Sequence, residues 1–330
     1  MEAKREFGTW REMLAFLTKN SQEKQRLARE ADVSVITLRR WMIGESHPRE
    51  DNLRKLVLAV PPEYAEAFRR LLEQEYPALA HEDLESGRVV AEIPSDLYAQ
   101  VMRVYAKTPA ILAADTLYRV LFERALEHLD PDKKGLSLAL VCCVPPHPGQ
   151  KVRSLRQVRG MGTPPWEREM ERKTMFLGSE SVAGHAVMNY RLAAVDSRDS
   201  TSFTSANWTD YEESAIASPI LRQARVAGAL LASSSRPHYF TQAHQILLEL
   251  YAPLVGLMFD PHEFYDPMEI MLGVMPEFER QVPLFVNFEQ RVSQKMTESA
   301  QRNDSIPLQQ AHQLVWQDIA EELLQVTGKR

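Results

Sequence analysis

Arg39 and Arg40 stand just before the last residue of the segment LAREADVSVITLRRW, Leu27 to Trp41. A guanidinium presents a fork of donors that fits a phosphate or the O6/N7 edge of guanine. Neighbouring residues on a helix point in different directions, so one arginine could read a base edge while the other holds phosphate. An isolated Arg-Arg pair is otherwise just a solvated face, and its surroundings must decide. Cys142 and Cys143, with His147 nearby, are the chain's other concentrated chemistry. Thiolates and imidazole suit zinc or iron, but two adjacent cysteines in an apolar run read better as core residues of a strand. His185 could line a pocket or ligate haem, or be an ordinary satisfied side chain. Trp166, Tyr190, Trp208 and Tyr211 fall in irregular stretches, where aromatic rings either stack on a planar ligand or pack. No GxSxG elbow, Walker loop, Rossmann fingerprint or paired-His metal helix occurs, so the expectation is a protein that is not an enzyme and has no metal site.

The elements that must position Arg39 and Arg40 are two short helices. Leu27, Ala28, Ala31, Val33, Leu38 and Trp41 are spaced so that two helix faces close on each other, with Asp32-Val33-Ser34 as the turn. Ser34 is placed to cap the second helix, Val35 to Met42, and Asn20 with Glu23 to form a capping box on the first. This segment resembles the helix-turn-helix of the lambda-repressor-like, or Xre, family over about the first sixty residues. Leu27-Ala28, Val33, Leu38, Trp41, Gly44 and Pro48 ahead of Leu53 and Leu56 stand where that family puts such residues. Two positions depart from it: Asp32 replaces the usual turn glycine, and Lys24 replaces the frequent glutamine. The resemblance implies double-stranded DNA as a partner, contacted by Lys24, Ser34, Val35, Ile36, Thr37, Arg39 and Arg40, with the second helix in the major groove.

Charge divides along the same line. Residues 1–60 carry twelve Lys/Arg against nine Asp/Glu, a net of +3, and the remainder carries −9. So small an excess predicts modest nonspecific affinity, and tight binding would need two copies of the domain. No apolar run approaches a membrane span, the N-terminus is charged, and two adjacent cysteines give no disulfide framework, so a cytoplasmic home without membrane contact is expected.

Helices are expected over Asp51 to Val60 and Pro62 to Tyr76, completing a five-helix domain 1–76, with a polar linker at 77–94. Ser95 to Asp130 is helical around Pro109. Leu136 to Val144, Val152 to Arg159, Ala193 to Val195, Ser214 to Leu221 and Val226 to Ser233 read as strands, and Thr241 to about Phe259 as a closing helix. That order describes an α+β sandwich. Four pieces, SVAGHAV with Gly184 opening a short helix, LAAVDS, SAIASPI and VAGALLASSSRPHYFTQAHQILLELYAPLVG, together resemble a GAF domain, the sensor relative of the PAS fold, over residues 95–259. The resemblance implies a small-molecule cavity, with Cys142, Trp166, His185, Tyr190, Trp208 and Tyr211 as candidate lining, and leaves the ligand unnamed.

The tail, residues 260–330, carries two helical stripes, Phe285, Phe288, Val292 and Met296, then Ala311, Leu314, Val315, Ile319 and Leu323, separated by NDSIP. They must pack on the sensor or on a second subunit. The leading expectation is a multidomain, ligand-responsive transcription regulator acting as a homodimer, with the moving element in residues 61–130. The alternative is an interaction protein whose helix-turn-helix or GAF surface recruits a partner with little sequence-specific DNA binding.

Overall fold

The computed structural model describes residues 7–31, 33–48, 50–76, 89, 91–169, 174–198, 208–209, 211–302 and 304–327. Asp32 and most of the expected linker lie outside the described residues. The chain divides into two compact units, Met1–Arg88 and Val89–Arg330.

The first unit is all helix: α1 (Trp10–Leu17), α2 (Ser21–Glu30), α3 (Val35–Met42), α4 (Glu50–Ala59) and α5 (Pro62–Glu75). Short helices need their free N–H groups satisfied. Thr9 accepts from the Glu12 N–H, Asn20 from Gln22 and Ser34 from Thr37. The expected Asn20 capping box is not made: Asn20 caps the helix through the Gln22 N–H rather than that of Glu23. Glu23 pairs with Arg26 at 2.9 Å on its own helix face, which occupies the carboxylate a box would need. Trp10, Leu14, Leu27, Leu38, Trp41, Leu53, Leu56 and Phe68 form the core. Trp10 is fully buried and its indole N–H donates to Glu75 at 2.7 Å, while Arg11 also pairs with Glu75 and lies over the Trp10 ring at 4.4 Å. Part-exposed ion pairs contribute at most about 1 kcal/mol. Emptying a buried tryptophan site costs about 3–5 kcal/mol, so the apolar core rather than the ion pair holds α1 to α5.

The second unit is built on one antiparallel sheet. Its strands are β1 (Leu136–Cys143), β2 (Leu155–Gly162), β3 (Phe176–Leu177), β4 (Ala193–Val195), β5 (Ser214–Arg222) and β6 (Arg225–Ser234), in the order β3-β2-β1-β6-β5-β4. Helices α6 (Ser95–Lys107), α7 (Ala110–Leu129) and α9 (Gln242–Val255) cover one face; α8 (Val182–Asn189) covers the other. The two-residue period of a strand sorts the side chains. Leu136, Leu138 and Leu140 of β1 pack with Leu121, Phe122, Leu247 and Tyr251, while Ala139, Val141 and Cys143 face Val182, Ala183, Ala186 and Val187. The sheet face under α8 is thus floored by small residues, with Ala215, Ala217 and Ala229 beside Ala139.

Several sequence expectations need correction here. Regular pairing of β2 starts at Leu155, because Val152 instead bridges in parallel to Ile270 of the tail. Strand β3, too short to show a period, was not expected. Gly184 is not the start of α8: Ser181 caps that helix by accepting the Gly184 N–H at 2.9 Å. The glycine is required because a Cβ there would fall 1.9 Å from the Gly178 carbonyl oxygen. The stripe from Phe285 to Met296 is not one helix. It splits into α10 (Phe278–Phe285) and α11 (Phe288–Gln301), and Met296 is 37% exposed. The break lets Phe285 and Phe288 both pack on Trp316 of α12 (Leu308–Thr327), at ring separations of 6.0 and 4.0 Å.

The tail is built into the second unit. Val292, Ala311, Val315, Ile319 and Leu323 pack with Val144 and Phe176 of the sheet region. Met271 and Gly273 donate backbone N–H bonds to the carbonyls of Val152 and Arg153, and Gln281 exchanges hydrogen bonds with the Phe176 backbone at 2.7 and 2.9 Å. Among the described residues no helix is long and apolar enough to cross a membrane.

Candidate functional site

Helix α3 owes its orientation to two side chains. Leu38 and Trp41, exposed 0% and 2%, fix one side in the core, and the Ser34 cap fixes the start. Val35, Ile36, Arg39, Arg40 and the following Ile43 are exposed. At about 100° per residue these five positions fall in one arc of about 140°, which is the width of a helix face that can enter a groove. Arg39 and Arg40 lie about 100° apart within it, so their guanidinium groups address different targets. Arg40 approaches Glu45 only at 4.0 Å, with both side chains about 60% exposed; such a contact contributes little and leaves Arg40 able to move to an anion. The apolar members, Val35 and Ile36, can meet thymine methyl groups. The Ser34 hydroxyl oxygen accepts from the Thr37 N–H and hydrogen-bonds the Thr37 hydroxyl, and Lys24 is half-buried on α2. Ser34 and Thr37 therefore hold the helix start, and the outward groups are Val35, Ile36, Arg39 and Arg40.

The sensor-side candidates do not form one constellation. Tyr190 and Trp208 pack at the edge of the cluster between α8 and the sheet, and Cys143, not Cys142, belongs to that cluster. Cys142 lies on the opposite face with the α7 and α9 layer. Trp166 is buried and meets Tyr211 edge to face at 6.4 Å, as a separate pair. His185 is half-buried on α8. Tyr190 ends α8 in the left-handed conformation at φ 56°, its hydroxyl is buried with no hydrogen-bond partner among the described residues, and burial pushes its pKa up to about 12. A phenol in that state remains a donor at any physiological pH and can serve a ligand acceptor. The polar residues Ser137, Gln157 and Ser233 are also buried in the sheet, and the Glu212 carboxyl accepts from Ser233 at 2.6 Å. Burial raises the Glu212 pKa despite those hydrogen bonds. Sequence reasoning missed Glu212, Gln157 and Ser137 because polar residues inside strand patterns give no signal of which face is covered.

The cysteines are poorly suited to chemistry. Burial pushes the Cys142 thiol up to about 12 and raises Cys143 further. Both stay protonated near neutral pH, whereas the thiolate is the nucleophile and the metal ligand. Among the described residues there is no group of three His, Cys, Asp or Glu set to hold a metal. Replacing Cys142 and Cys143 together with alanine is expected to lower stability by about 1–3 kcal/mol and to leave peroxide sensitivity and metal content unchanged. A metal stoichiometry lost on that replacement, measured by elemental analysis, would overturn the packing role.

No family model matches the chain, and no curated protein matches it. Solved structures to which it is similar include the GAF domain of an Acinetobacter phosphoenolpyruvate-protein phosphotransferase, at 14% identity and TM-score 0.35 over 49% of this chain and 89% of that one. The GAF-B domain of DevS from Mycobacterium smegmatis is similar at 18% identity and TM-score 0.30, over 44% and 91%. The type II free methionine-R-sulfoxide reductase from Thermoplasma acidophilum is similar at 15% identity and TM-score 0.33, over 46% and 97%.

Proposed function

We propose that this chain is a ligand-responsive, sequence-specific DNA-binding regulator that acts as a homodimer. The observation that carries the reading is the outward arc of α3, where Leu38 and Trp41 are spent on the core and Val35, Ile36, Arg39 and Arg40 remain exposed together. In this reading α3 enters the major groove and α2 lies across the backbone, with Lys24 close to phosphate. The second unit is a GAF sensor: its antiparallel sheet carries two helical layers on one face and a single short helix, α8, over a floor of small residues on the other. The effector is a small molecule of unidentified class. It changes DNA affinity only if it binds two arrangements of the protein unequally. Sulfoxide reduction of the kind named for the Thermoplasma protein finds no support in two adjacent, protonated cysteines, one half-buried and one buried.

Selection from random duplexes, followed by titration at one fixed salt concentration, tests this. The selected site should bind at least about 10³-fold more tightly than random DNA. Equal affinity for both pools would exchange this reading for that of an interaction protein.

A further inference from the structure

Helix α6 uses only one of its sides within the fold. Leu97 and Val101, exposed 1% and 0%, join the core beside α7. Ser95, Tyr98, Ala99, Met102, Tyr105 and Ala106 are all exposed, with Tyr98 at 39%, Met102 at 55% and Tyr105 at 48%. At about 100° per residue these six occupy one arc of about 120°, and none is charged. Their spacing alternates three and four residues, the pattern of a seam between two helices, and Ala99 and Ala106 leave room for close approach. The charges of the helix, Asp96, Arg103 and Lys107, gather along one flank of that arc. The other flank is the buried seam. Ile111 and Leu112, at the start of α7, are also exposed.

We propose that this face is a two-fold contact, α6 packing antiparallel on α6 of a second copy of this chain. The occupant follows from charge. An antiparallel two-fold brings each helix's charged flank against the same flank of the other, running in reverse. With Tyr98 level with the second copy's Tyr105, the same register sets Asp96 level with the second copy's Lys107 and brings Met102 beside its own counterpart near the axis. Two aromatic contacts, two opposite-charge pairs and a central methionine contact arise from one register. A parallel pairing would turn the charged flank toward the second copy's buried seam and offer it no countercharge. Asp96 is available for this role, since it meets Arg124 only at the 4.0 Å limit of an ion pair, with its carboxylate 72% exposed. The tail helices offer less for pairing, because α11 and α12 turn their apolar stripes onto Phe176 and Val144 of their own chain.

The proposal rests on the dimeric reading above, and the experiment separates the two. Sedimentation of the full chain over a concentration series should show a dimer. Met102→Lys, at an exposed site where folding is undisturbed, should weaken it at least about tenfold, the effect of removing a central contact and burying a charge. Asp96→Lys and Lys107→Asp should each weaken it and together restore it. Under oxidation Met102→Cys should cross-link into a covalent dimer and Ser95→Cys should not. A Met102→Lys chain as dimeric as the parent, or equal cross-linking through Ser95→Cys, overturns the antiparallel contact while leaving dimerisation intact. A parent chain monomeric throughout overturns both.

Discussion

Arg39→Ala and Arg40→Ala are expected to weaken DNA binding in different ways. The two side chains leave α3 about 100° apart, and a helix seated in the major groove can aim only one such direction at base edges. The arginine that reads a guanine edge should lose about 1–3 kcal/mol, with discrimination relaxed at one base position. The other should weaken every sequence alike and flatten the dependence of log K on log salt by about one unit. Both residues are exposed, so neither variant disturbs the core formed by Leu38 and Trp41, and thermal melting should be unchanged within about 0.5 kcal/mol. Binding of both variants at parental affinity and salt slope would remove α3 as the reading helix.

The largest loss of stability is expected from Asp130→Ala. The Asp130 side chain, 2% exposed, accepts hydrogen bonds from the Lys134 N–H at 2.7 Å, the Gly135 N–H at 3.2 Å, the Thr163 hydroxyl at 2.7 Å and the Tyr239 hydroxyl at 3.2 Å. It thereby ties the end of α7 to the approach of β1, the end of β2 and the segment before α9. Alanine leaves the Lys134 and Gly135 N–H groups without this acceptor, while the Tyr239 hydroxyl keeps the Leu129 carbonyl at 2.9 Å and the Thr163 hydroxyl the Leu136 carbonyl at 3.3 Å; an unmet donor costs more than its bond contributed when made. The expected cost is about 2–4 kcal/mol, from two unmet backbone donors and two weakened hydroxyl contacts. Denaturant unfolding of the full chain should show a lower midpoint for the transition of the second unit only. A loss below about 1 kcal/mol would mean that the four contacts are not coupled.

The sequence was most legible where one element signals its own ends. Ser34 caps α3 and Leu38 with Trp41 gives its buried side, so the helix from Val35 to Met42 and its exposed arc followed from local rules alone. Strands β1, β5 and β6 were legible as long apolar runs for the same reason. What a strand run does not carry is which face each residue takes. The adjacent Cys142 and Cys143 looked equivalent, yet the pleat sends them to opposite faces, one toward α9 and the other toward α8. Nor could local pattern show that Val152 pairs with Ile270 across more than a hundred residues of chain, or that the Phe285 and Phe288 rings need a helix break to share Trp316. The proposed sensor site was the least legible part, because Tyr190, Trp208 and Cys143 converge through tertiary packing and Trp166 with Tyr211 converge elsewhere.

The central claim is that two copies of a weakly charged reader act together on DNA. In the proposed reading, a domain of net charge +3 over residues 1–60 would make few phosphate contacts. Tethering a second one raises its effective concentration to roughly millimolar, and avidity by about 10² or more. Footprinting of the full chain beside a fragment 1–88, which carries its own apolar core, tests this directly. The full chain should protect two half-sites about 34 Å apart on one face of the duplex, at an affinity about 10² or more above that of the fragment. A single protected half-site, with fragment and full chain equal in affinity, would contradict it.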